Sequence, residues 1–263
     1  MVFDCFLVDY TENELFNEYY TAMKQRRIEE ACVKCKDRCC ARCFDDGEDS
    51  IFDCLTKEEL ELLVKEKRHI HFKAGETILK QNTAASHVVC IKQGLAKIIA
   101  EGDGDKKLIL RLVTNHSILT GGGVFIEEIR HFTVQAVTEV DCCFIDSDKI
   151  YELVSKNSRF AFELLKLNNK QNIQMLNNLV GITQKYMPGR VSDLLLYLKN
   201  EIFRSNPFDT RLSRQELADM TSMTMESFIR ILKEFKSAGI ITVDGSNIHV
   251  LDEDALNLIS KKG

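Results

Sequence analysis

Two hydrophobic periods divide the chain. Between residues 69 and 145 apolar side chains come in short runs and alternations bounded by turn residues; beyond residue 149 they return with helical spacing. The first pattern predicts strands and the second helices. Strands are expected at 71–72, 76–79, 87–92, 95–100, 107–113 and 132–145, with turns at Lys73-Ala74-Gly75, Gln93-Gly94, Gly102-Asp103-Gly104 and Gly121-Gly122-Gly123. Many short strands with regular turns point to a β-roll or barrel. Before them, residues 55–63 read as a helix capped at Thr56, and 12–30 as a further helix in a polar N-terminal segment. After them, residues 149–187 contain no turn cluster, and Phe160, Leu164, Leu167, Ile173, Leu176 and Val180 recur at helical spacing, which predicts one long helix. Pro188-Gly189 marks a hinge. A helix then runs through Val191, Leu194, Leu195, Leu198 and Ile202, closed by Ser205-Asn206-Pro207.

The most strongly punctuated stretch is 211–250. Ser213 with Glu216 forms a capping box for a short helix. Thr221-Ser222-Met223 makes a turn, Thr224 caps a second helix, and Gly239 ends it. Residues 240–243 and 247–250 alternate across Asp244-Gly245, a hairpin signal. On a projection of about 100° per residue, Phe228, Ile231, Leu232 and Phe235 share one face of the second helix. Glu226, Ile229, Arg230 and Lys233 share the opposite face. An Arg can pair with guanine, a carboxylate can accept from cytosine, and an apolar tip can touch a thymine methyl. A helix lying in the DNA major groove needs such a set, and the capped helix pair with its following hairpin favours that reading over a merely solvated face.

Composition narrows the classes. The chain has 263 residues, 44% hydrophobic and 29% charged, with net charge −5. A protein that coats DNA indiscriminately would be basic. Over residues 211–237, five basic side chains (Arg211, Arg214, Arg230, Lys233, Lys236) face four acidic ones (Glu216, Asp219, Glu226, Glu234). That balance predicts site-specific, salt-sensitive binding, with Arg214 and Lys236 expected at phosphates. No apolar run reaches the roughly 18 residues of a membrane helix, and the start lacks the basic n-region of a secretory signal. A cytoplasmic protein without a membrane partner is expected.

Ten cysteines without such a signal do not suggest a disulfide scaffold. Six lie between Cys32 and Cys54, in CVKCKDRCCARC and just after it. Interleaved Lys34, Lys36, Arg38 and Arg42 favour thiolates, which bind iron–sulfur clusters or zinc. Zinc ribbons usually set their two Cys-x2-Cys pairs further apart than the four residues here, which favours iron. Electron transfer is a competing use of these cysteines. It would require a partner-cofactor site, and Gly121-Gly122-Gly123 does not open a helix as a dinucleotide loop does. No enzyme is expected. The six histidines show no ligand spacing, although any single one could hold haem.

Two stretches carry a family resemblance. T-x-E-S-x-x-R-x-L-x-x-F-x-x-x-G-I-I, beginning at Thr224, resembles the winged helix-turn-helix of the CRP/FNR transcription regulators. K-A-G-E-x-I-L from Lys73 and V-V-C-I-K-Q-G-L-A-K-I from Val88 resemble the β-roll that precedes it in that family. The resemblance implies an α+β chain: an N-terminal arm with the cysteine cluster (1–49), a cyclic-nucleotide-binding-like β-roll (50–150), a long dimerisation helix (151–187) and a winged helix-turn-helix (188–263). It further implies a homodimer on a palindromic duplex site, with RNA polymerase as a partner. Glu226 and Arg230 match the family's base-reading pair, while Ile229 stands where the FNR branch has Ser. Cyclic AMP is not expected: Gly121-Gly122-Gly123-Val124 lacks the ribose-binding Glu, and Phe132-Thr133 replaces the phosphate-binding Arg-Ser. Arg111 and Arg130 are not expected to compensate. Similarity to the oxygen-sensing FNR branch implies a [4Fe–4S] cluster on Cys32, Cys35, Cys40 and Cys143. Cys142 lies beside Cys143, and Cys39, Cys43 and Cys54 remain alternatives to Cys40. The alternative is a regulator of the same family gated by haem or by a small-molecule effector in the roll, with the N-terminal cysteines binding zinc.

Overall fold

A computed structural model describes residues 50–102, 107–120, 126 and 129–263. The expected helix at 12–30, Gly121-Gly122-Gly123, and Cys32, Cys35, Cys39, Cys40 and Cys43 lie outside the described residues.

A 3-10 turn at Ile51–Cys54 leads into helix α1 (Lys57–Glu66), whose capping box pairs Thr56 with Glu59. Eight strands follow: β1 (Arg68–Phe72), β2 (Thr77–Leu79), β3 (His87–Gln93), β4 (Ala96–Glu101), β5 (Lys107–Val113), β6 (Ile118–Leu119), β7 (Thr133–Ala136) and β8 (Val140–Asp146). They form two antiparallel four-stranded sheets, ordered β1-β8-β3-β6 and β2-β7-β4-β5. Inward residues of both sheets, among them Ile78, Ile91, Ile98, Val134 and Cys142, make the roll's core. Successive strand residues face opposite sides, so Cys143 lies on the other face of its sheet. There it packs with Ile51, Phe52, Leu63, Ile150 and Phe160 under a helical layer.

The expected single strand over 132–145 is two strands. Thr138 makes the break: its hydroxyl accepts from the Leu95 amide at 2.9 Å and donates to the Glu139 carbonyl at 3.0 Å. The expected continuous helix over 149–187 is also two, α2 (Ser147–Lys156) and α3 (Ser158–Gln184). Asn157 interrupts them in an extended conformation, and its side chain caps α3 by accepting from the Phe160 amide at 3.0 Å. Nor does the expected stripe on α3 do a single job. Phe160 and Leu164 are buried against the roll and Leu167 is half-buried, whereas Ile173, Leu176 and Val180 are exposed, as are the neighbouring Leu165 and Leu179. The next break falls at Lys185–Tyr186, and Pro188 sits in the first turn of α4 (Met187–Tyr197), where its missing N–H costs nothing. A π-turn at Leu198–Ile202 extends α4.

The C-terminal part comprises β9 (Phe208–Asp209), α5 (Arg214–Met220), α6 (Met225–Ser237), β10 (Ile241–Asp244), β11 (Asn247–Val250) and α7 (Glu253–Lys262), with sheet order β10-β11-β9. Its core includes Leu195, Leu217, Phe228, Ile231, Ile241 and Ile248. Leu95 and Leu112 of the roll belong to the same buried cluster.

Candidate nucleic-acid interface

Local chemistry fixes the α5–α6 pair. Ser213 Oγ accepts from the Glu216 amide at 3.2 Å, and Glu216 Oε2 accepts from the Ser213 amide at 2.7 Å. Ser222 takes a positive φ of 53° in the connecting turn. Thr224 Oγ1 accepts from the Ser227 amide at 3.3 Å and starts α6. Each such cap contributes about 1 kcal/mol. Gly239, with φ of 72°, ends the helix in the left-handed region that glycine tolerates best. Phe228, Ile231, Leu232 and Phe235 are buried, which pins one face of α6 to the core.

The opposite face is left outward. Glu226, Arg230 and Lys233 are exposed and Ile229 is half-buried. Arg230 Nη1 donates to Glu234 Oε1 at 2.7 Å, an exposed pair one helical turn apart. Such a pair contributes a few tenths of a kcal/mol, so it releases Arg230 cheaply to a base edge. The hairpin β10–β11 flanks this face as a wing. Arg214 Nη2 donates to the Gly245 carbonyl at the wing turn at 2.5 Å, and burial pushes its guanidinium pKa down. Lys236 Nζ approaches the Val243 carbonyl at 3.4 Å. Arg214 thus joins the start of α5 to the wing turn, and Lys236 joins the end of α6 to β10.

Residue patterns did not signal Lys97. Its ammonium, on β4, bonds to Glu216 across a separation of 119 residues, and both side chains are largely covered. Burial pushes the Glu216 carboxyl up, but Lys97 and the Ser213 N–H and O–H outweigh this and hold it below the usual carboxylate range. The roll thus grips the carboxylate that caps α5. Tyr197 adds a second link: its hydroxyl lies 3.3 Å from the Leu112 amide, and burial pushes it up to about 12.

At the other end of the roll, Cys143 is fully buried beneath the 3-10 turn that continues from residue 49. Its cross-strand neighbours are His69 on β1 and Cys90 on β3. Cys90, which the sequence did not single out, is buried in the same layer. Cys142 faces the roll's interior instead. Cys54 is half-buried, and burial pushes its thiol up. Among the described residues no three His, Cys, Asp or Glu side chains converge as a metal site. His69 and His71 both approach Asp141, at 3.5 and 3.2 Å. Where a cyclic phosphate would need donors, the Thr133 hydroxyl is committed to Glu101 at 2.8 Å. Arg111 donates to Gln171 at 3.2 Å, and Arg130 is buried with its Nη2 3.4 Å from the His87 carbonyl.

Comparison with known proteins matches both halves of this architecture. Residues 69–157 match the profile of the cyclic nucleotide-binding domain, and residues 189–259 that of the Crp-like helix-turn-helix domain. The chain is 22% identical over 194 residues to the transcriptional activator protein FnrA of Stutzerimonas stutzeri, covering 72% of this chain and 79% of that one. It is 20% identical over 210 residues to the CRP-like cAMP-activated global transcriptional regulator of Mycobacterium tuberculosis, covering 78% and 94%. The solved structure of FixK2 from Bradyrhizobium japonicum shares its fold, with a TM-score of 0.68 at 13% identity over 73% of this chain and 96% of that one. These relatives are regulators rather than enzymes. A cyclic-nucleotide-binding roll followed by a Crp-like winged helix places this chain in the CRP/FNR superfamily of DNA-binding transcription regulators.

Proposed function

We propose that the protein is a homodimeric, site-specific regulator in which α6 reads a palindromic duplex through Glu226, Ile229, Arg230 and Lys233, with Arg214 and Lys236 neutralising phosphates. The observation that carries this is the division of α6 into a wholly buried face and an outward face bearing Glu226, Arg230 and Lys233. The exposed apolar half of α3 supports pairing with a second copy, since a soluble chain rarely leaves such a stripe uncovered. Two-fold symmetry would set the recognition helices one DNA turn apart, about 34 Å. The regulator works in the cytoplasm with RNA polymerase. The test begins with selecting its site from random duplexes. Fluorescence anisotropy then compares wild type and Arg230→Ala on that site and on a scrambled one; equal losses on both would remove the base-reading role.

The regulatory input is a [4Fe–4S] cluster on Cys32, Cys35, Cys40 and Cys143. Of the described cysteines, Cys143 fits best. It faces the layer that continues directly from the cysteine arm, whereas Cys142 points into the roll. When bound, the cluster supplies a group that oxygen, nitric oxide or oxidation disrupts. With such a cluster bound, Cys143 would tie the arm to β8. Phe160 and Leu164 of α3 pack in the same layer, so a change at Cys143 bears directly on the helix that pairs the copies. Anaerobic reconstitution of single Cys→Ser variants, followed by iron and sulfide analysis, tests the ligand set. Full retention in Cys143→Ser would refute it, and uptake of zinc alone in the wild type would refute the cluster.

A further inference from the structure

A cleft of about 1380 Å³ opens between the roll, α3 and the π-turn that leads to the winged domain. Arg111 of β5, Lys170 of α3 and Arg204 beyond the π-turn line it, and among the described residues Glu201 is the only carboxylate in its lining. Arg111 donates to Gln171 at 3.2 Å. No ion pair among the described residues uses Arg111, Lys170 or Arg204. Burial pushes the Arg111 guanidinium pKa down, as expected of a covered cation without a nearby carboxylate. The cleft therefore presents a net positive field, three cations against one carboxylate, beside apolar Leu167, Ile173 and Phe203.

Ser50, Ile51 and Phe52 line the same cleft, so the chain enters it directly from residue 49. The six preceding residues are Phe44-Asp45-Asp46-Gly47-Glu48-Asp49, four carboxylates and one aromatic ring. Six residues reach at most about 20 Å, and tethering at Ser50 makes their local concentration in the cleft high. We propose that residues 44–49 dock in this cleft, their carboxylates against Arg111, Lys170 and Arg204 and Phe44 against its apolar wall. The cysteine arm would then be joined to the π-turn from which the winged domain hangs. The docking stands whatever the cysteines bind; only its use as a relay rests on the cluster reading.

Zero-length carbodiimide cross-linking of the full-length chain, followed by digestion and mass spectrometry, tests the docking. The expected product is an amide between Lys170 and a carboxylate of residues 45–49. It should disappear in Lys170→Gln and fall several-fold in 0.5 M salt. In the double variant Asp45→Asn, Asp46→Asn, the yield at Lys170 should drop by about half or more. Cross-links from residues 45–49 only to lysines outside the cleft would overturn the proposal. So would a Lys170 product found only between two copies, which would make the occupant a partner chain. Because Lys170 is exposed, its substitution leaves the fold intact.

Discussion

Arg230 and Glu216 show how two charged residues on neighbouring helices come to opposite uses. Arg230 is exposed, and its partner Glu234 holds it only weakly, so its value lies outside the protein. Arg230→Ala should cost about 1–3 kcal/mol on the selected site and far less on random duplex. Removing Lys236 should instead weaken binding to all sequences and flatten the salt dependence by about one charge, read from affinity against salt concentration. Glu216 is committed inwardly. Its folded pKa is lowered, so its contribution to stability is complete above the ordinary Glu value of about 4.3 and is lost as pH falls through the lowered folded value. Thermal melts below about pH 5 should fall more steeply for wild type than for Lys97→Met, because the variant has lost the ammonium that lowers the carboxyl. Parallel curves would show that Lys97 does not set the Glu216 pKa.

At the scale of elements, α3 changes character along its length, buried against the roll at its start and exposing apolar side chains further on. Phe160→Ala should destabilise the fold by about 3–5 kcal/mol, since the ring is fully buried. Leu176→Glu should leave the melting curve nearly unchanged and yield monomers that have lost palindrome binding, as sedimentation would show. A wild type that sediments as a monomer on DNA would refute the pairing. That division was not legible in the sequence, because Leu164 and Leu176 look alike until the roll is placed against one of them. What was legible was local: the Ser213/Glu216 box, the Thr224 cap and Gly239 each act within a few residues, and α5, α6 and the wing follow the expected pattern. The break at Asn157 was missed because an Asn cap between Lys156 and Ser158 carries no Pro or Gly. The break at Thr138 was missed because it depends on Leu95, 43 residues earlier. Cys90 beside Cys143 and Lys97 beside Glu216 are products of register and docking, which no short window of sequence contains.

For the molecule as a whole, the junction of roll and winged domain decides how it comes apart. Leu95 and Leu112 belong to the same buried cluster as Phe228 and Ile231, with Lys97 and Tyr197 adding polar links across the seam. Two modules joined only by a tether would melt separately. Here the C-terminal module cannot lose its core without uncovering part of the roll's. Calorimetry should therefore give one endotherm for residues 50–263, and two well-separated endotherms would show the modules to be independent. Leu112→Ala, a change in the roll, should lower the temperature at which the winged half melts. A fragment beginning at residue 188 should aggregate, because it would carry into water the apolar patch that Leu95 and Leu112 now cover.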